Sequence, residues 1–111
     1  MSIWNVRSGT LADIEFLVEC GKRLAYDTEG KVLDHETVTK GVTDMLDQPK
    51  LGCYYVAEDE SGNKLGTTMT TYELSLALGG QVTWIQSVFV CPEARGKGCF
   101  RAIYEHIVKQ A

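Results

Sequence analysis

Proline and histidine are scarce in this chain, with two of each in 111 residues. His35 and His106 have no second ligand at metal spacing, which excludes the usual histidine-based zinc motifs; both read as surface or boundary residues. Cys20, Cys53, Cys91 and Cys99 form no Cys-x-x-Cys pair, so a zinc ribbon or a thioredoxin-like redox site is excluded. They read as reduced thiols packed as small apolar residues. No apolar run approaches the ~18 residues of a membrane span, and no charged-then-apolar signal opens the sequence. The expectation is a soluble, cytoplasmic protein with no membrane partner. No large charge excess exists either: 11 basic against 15 acidic residues leave a net charge of -4. That argues against a nucleic-acid partner, which selects a basic face, and mildly favours an amine substrate.

What is present suffices for one domain over residues 1–111. A hydrophobic content of 44% supplies a core without disulfides or metals. Residues 3–7 read as an opening strand. Thr10 and Asp13 form the acidic variant of a capping box, and Leu11, Ile14, Leu17, Val18, Leu24 and Ala25 recur at helical spacing to Tyr26. Asp34 caps a second helix, with Val38, Val42, Met45 and Leu46 on one face and Pro49 past its end. The pattern then changes to strands at 53–58, 65–74 and 81–91, joined by turns at 60–63 and 79–80. A last helix spans 98–109, with Phe100, Ile103, Ile107 and Val108 as its expected buried stripe. The order β-α-α-β-β-β-α predicts an α+β fold, with helices packed on a mostly antiparallel sheet.

Chemistry concentrates between the last strand and the last helix. Arg95, Gly96, Lys97 and Gly98 form a basic, glycine-spaced turn that opens directly into the helix. Glycines let backbone approach a ligand, and the first amides of a helix are unpaired and sit at its positive end. This is a phosphate site. Nucleotide motifs do not fit it. Five residues before the glycine of the three Gly-Lys pairs stand Phe16, Ala25 and Cys91, where a P-loop needs glycine. Arg101 replaces the third glycine of a dinucleotide fingerprint, and the preceding strand belongs to a meander rather than a parallel βαβ unit.

Residues 90–98, Val-Cys-Pro-Glu-Ala-Arg-Gly-Lys-Gly, resemble the acetyl-CoA motif of the GNAT superfamily of N-acetyltransferases, Gln/Arg-x-x-Gly-x-Gly/Ala after a strand ending in Val-x-Pro. The order of elements matches the first part of that fold, with helices on both sheet faces. The resemblance implies acetyl-CoA as co-substrate. It places the pyrophosphate on the backbone amides of Arg95, Gly96, Lys97, Gly98, Cys99 and Phe100, and the pantetheine arm along Val88, Phe89 and Val90. Phe100 stands where the family has Gly or Ala; the helical stripe directs it into the core.

The resemblance also implies acetyl transfer to a primary amine by direct attack, with a small-molecule or peptide acceptor entering near residues 26–38. The catalytic residues stay open. No Asp, Glu or His lies within 81–91, so a base would act through water or come from Glu58 or Glu73, each of which reads first as a solvated charge. The acidic run 58–60 reads as a solvated hairpin end. The family's acid is a tyrosine on a later helix; Tyr104 lies on the wrong helix and reads as a packing residue. The family's C-terminal strands and helix are absent, leaving an open strand edge at 82–91. A truncated chain, or a homodimer in which a second copy supplies that wall, is expected. The alternative function is a catalytically incomplete CoA-binding or interaction module.

Overall fold

The computed structural model describes residues 3–77 and 79–110. Strand β1 (Asn5–Ser8) is followed by a 3-10 turn (Leu11–Asp13), α1 (Ile14–Glu29) and α2 (His35–Leu46). The meander β2 (Gly52–Glu58), β3 (Lys64–Ser75) and β4 (Gly80–Val90) comes next, then a 3-10 turn (Pro92–Ala94) and α3 (Cys99–Gln110). The four strands pair antiparallel in chain order, β1-β2-β3-β4, so β1 and β4 are the edges.

Strand alternation distributes the core over both faces. On β2, Val56 packs with Leu17, Val18 and Val42 from α1 and α2, with Tyr54 beside them. Tyr55 and Ala57, one residue out of phase, pack with Cys99, Ile103 and Ile107 of α3. Helices therefore cover opposite faces, and the α+β architecture matches the reading of the sequence. Gly66 on β3 permits the close approach of α3. A Cβ there would lie 2.6 Å from the Cys99 sulfur and 3.4 Å from Ile103. Gly66→Val should destabilise the fold by about 1–3 kcal/mol through overpacking, measured as a lowered urea midpoint with unchanged slope.

The caps follow local chemistry. The Thr10 amide donates to Asp13 Oδ2 at 2.7 Å, the reach-back half of the capping box. Asp34 accepts from the Thr37 amide at 3.0 Å and caps α2. Helix α1 runs three residues beyond the expected end at Tyr26, because Gly30 adopts a left-handed φ of 66° and its amide returns to the Tyr26 carbonyl. In the β2–β3 turn Asp59 accepts from the amides of Ser61 and Asn63. The acidic run at this hairpin is thus partly structural.

Asp13 has a larger role than a cap. Its side chain is 1% exposed, and it holds Arg7 at 2.7 Å and Lys64 at 2.7 Å. Arg7 also reaches Glu58 at 3.0 Å. This cluster ties β1, the start of α1, and the β2–β3 hairpin into one unit. The Arg7 guanidinium, with Lys64 beside it, holds the Asp13 carboxyl well below the usual carboxylate range.

Candidate functional site

Helix α3 begins under the end of β4, and the turn between them is open. Gly96 and Gly98 take left-handed φ values of 78° and 80°, a conformation that costs other residues about 1–2 kcal/mol. The backbone amides of residues 96–101 find no acceptor among the described residues, since Arg95 donates to Pro92 and the first helical bond runs from Ala102 to Gly98. These amides border a cavity of about 240 Å³ lined by Val90, Arg95, Gly96, Gly98, Cys99 and Phe100, among others. Glycine-spaced free amides at a helix start suit a phosphate or pyrophosphate. Trp4 anchors the turn from the other end of the chain: its Nε1 donates to the Lys97 carbonyl at 3.0 Å. Trp4→Phe should loosen the turn, costing about 1 kcal/mol in a urea melt and weakening anion binding severalfold in a calorimetric titration.

The edge of β4 supplies a second element. Cys91 donates its amide to Leu65 on β3, and antiparallel bonding alternates along a strand. By that alternation Phe89 and Ser87 turn their backbone groups toward β3, whereas Val88 and Val90 turn theirs outward. Farther back, Met69 pairs with Ser87 and Thr70 with Ile85, leaving Gln86 as an extra residue. Such a bulge bends a strand. Gln86 is held by its Nε2 donating to Thr71 Oγ1 at 2.7 Å.

Side chains around this edge differ from several expectations. Phe100 does not enter the core. It is 43% exposed, borders the cavity and meets Tyr104 at 6.3 Å between ring centroids. Cys99 takes the inward position instead, so the buried stripe is Cys99, Ile103 and Ile107, and Val108 faces solvent. Arg95 folds back, donating from Nε to the Val90 carbonyl at 2.9 Å, with its guanidinium 5.7 Å from the Phe89 ring centroid. Phe89 itself is buried against Cys20 and Cys91. Lys97 is exposed.

The candidate bases are engaged elsewhere. Glu58 pairs with Arg7, which also holds its carboxyl below the usual range, and Glu73 accepts from Trp84 Nε1 at 2.7 Å. Trp84 is half exposed. The groove of about 510 Å³ beside Glu73 lies at the far end of β3 and β4 from the glycine turn. Burial pushes the Cys20 thiol up to about 12 and the Cys99 thiol to about 11, which removes both as nucleophiles near neutral pH. All four cysteines are unpaired. His106 packs against Tyr55, and no metal-holding group of side chains occurs among the described residues. No helix among them is long and apolar enough to cross a membrane.

Known proteins share this fold. A possible acetyltransferase of Clostridium difficile 630 superposes with a TM-score of 0.88 at 33% identity, covering 97% of this chain and 70% of that one. A predicted acetyltransferase of Clostridium acetobutylicum, solved with acetyl-CoA, shares the fold at a TM-score of 0.76 and 22% identity, over 97% of this chain and 73% of that one. A GNAT family acetyltransferase of Staphylococcus aureus does so at 0.76 and 15%, over 97% and 77%. No curated protein sequence matches. The profile of the acetyltransferase (GNAT) family covers residues 19–111, and with it the chain belongs to the GNAT family of acetyltransferases.

Proposed function

We propose that this protein binds acetyl-CoA and transfers its acetyl group to a primary amine by direct attack. One observation carries the reading: the free amides of residues 96–101, set by two left-handed glycines at the start of α3. Gly96, Lys97, Gly98, Cys99 and Phe100 hold the pyrophosphate through their backbone amides; Arg95, whose amide is taken by Pro92 contrary to the sequence expectation, contributes charge. The outward groups of Val88 bind the pantetheine amides as an added strand would; Phe89 packs behind, and Val90 joins once Arg95 releases its carbonyl. Acetyl-CoA supplies an activated acyl group. The amine nitrogen bonds to the acetyl carbon, the carbon–sulfur bond breaks, and the amine proton passes through solvent to the departing thiolate. Four unpaired cysteines suit a reducing compartment such as the cytoplasm.

A second reading is a CoA-binding module without turnover. The engagement of Glu58 by Arg7 and of Glu73 by Trp84 favours it, since no carboxylate of β2 or β3 is left facing β4 as a base. Calorimetric titration with acetyl-CoA, run beside thiol release in the presence of amines, separates the two. Binding with thiol release supports transfer, binding alone supports the module, and no binding overturns both. The open edge of β4 is where a second copy would pair, and light scattering at several concentrations measures that.

A further inference from the structure

Besides Arg95, a second charged residue meets the Phe89 ring: Arg23 of α1, its guanidinium 5.1 Å from the ring centroid. Arg23 also lines a cavity of about 320 Å³ beside the α1–α2 connection. Arg23 thus reaches from this cavity to Phe89, on the strand along which acetyl-CoA is proposed to lie. The charges within the cavity sort themselves. Lys22 is held by Glu19 at 3.7 Å and His35 at 3.4 Å, and Lys31 by Glu29 at 2.9 Å. Arg23 and Asp27 have no ion-pair partner among the described residues. They stand four positions apart on one helical face, where opposite charges usually meet, yet they do not pair with each other. Beside them are three apolar surfaces, Tyr26 and Val32, 62% and 86% exposed, and Leu33.

We infer that this cavity is the acceptor site and that it selects an α-amino acid with an apolar or aromatic side chain. Arg23 takes the carboxylate through its planar donor fork. Asp27 takes the amino group. Tyr26, Val32 and Leu33 cover the side chain, which removes apolar surface from water. A simple amine leaves Arg23 unmatched, and a simple acid leaves Asp27 unmatched. This rests on the acetyltransferase reading for the meaning of the site, but the test measures binding without turnover, so the two can fail separately.

Phenylalanine, phenethylamine and 3-phenylpropionate are titrated into the full chain and followed by NMR shifts, with and without saturating CoA. Phenylalanine should bind about tenfold more tightly than either partial analogue, the scale of one charge-assisted hydrogen-bonded pair. Arg23→Gln should lower phenylalanine to the level of phenethylamine and leave phenethylamine unchanged. Arg23→Lys should restore part of the loss. Asp27→Asn should lower phenylalanine to the level of 3-phenylpropionate. Equal affinity for the three probes, absence of phenylalanine binding, or indifference of its affinity to Arg23→Gln overturns the inference. CoA binding that persists in any of those cases leaves the cofactor reading intact.

Discussion

Replacing Gly98 by valine is expected to weaken acetyl-CoA binding about a hundredfold or more, the loss of roughly two hydrogen bonds to a charged group. The reason is conformational. A Cβ on Gly98 meets nothing within 4 Å, so no clash opposes the substitution. The obstacle is the φ of 80°, which a β-branched residue occupies only as an outlier. Valine should turn the local backbone toward negative φ and swing the amides beside it away from a common centre. Because residue 98 is exposed, global stability should change by only about 1–2 kcal/mol. Calorimetry with acetyl-CoA against a urea melt reads both quantities on one variant. Near-unchanged affinity would mean that the turn is not the pyrophosphate site.

Asp13→Asn is expected to have the largest effect on stability. It removes the negative charge shared by Arg7 and Lys64, whose side chains are 32% and 29% exposed. Removing one member of a fully buried pair costs about 3–5 kcal/mol. With both cations partly solvated, a loss of about 2–4 kcal/mol is expected. The pH dependence separates charge from packing. The folded Asp13 carboxyl titrates below its unfolded value. Its contribution is therefore fully present above the unfolded value of about 3.9 and is lost as pH falls through that value toward the lower folded one. Wild-type stability should decline with acid over that window, and Asp13→Asn should flatten the decline. Equal acid slopes for the two proteins would place the stabilisation in packing rather than in charge.

The parts that were legible in the sequence are those whose signal is local. Periodicity and caps placed α1, α2 and the meander, because Thr10, Asp13, Asp34 and the turn glycines act on their immediate neighbours. The glycine turn was legible for the same reason: Gly96 and Gly98 bear on the backbone in which they sit. The extension of α1 to Glu29 is not carried by apolar spacing, which ends at Tyr26; its local signal is Gly30, a glycine just past the helix that takes the left-handed cap. Phe100 departs from its expected inward direction because an apolar residue one step from the inward position still fits an amphipathic pattern; Gly66, far away in sequence, reserves that inward position for Cys99. The ion cluster of Arg7, Asp13, Glu58 and Lys64 is illegible, since its members come from three separate segments. So is the convergence of Arg23 and Arg95 on Phe89, which joins α1 to the C-terminal end of β4.

Because the spatial order of the strands repeats their order along the chain, β2, β3 and β4 can zip together by successive short-range hairpins, each closing a small loop. β1 is the exception. It must wait for α1 and α2 to be spanned before it meets β2, closing a much longer loop, whose entropy cost grows slowly but must be met before its contacts form. The folding rate should therefore be governed by the arrival of β1 rather than by growth of the meander, and the Arg7–Asp13–Lys64 contacts serve as the latch on that last closure.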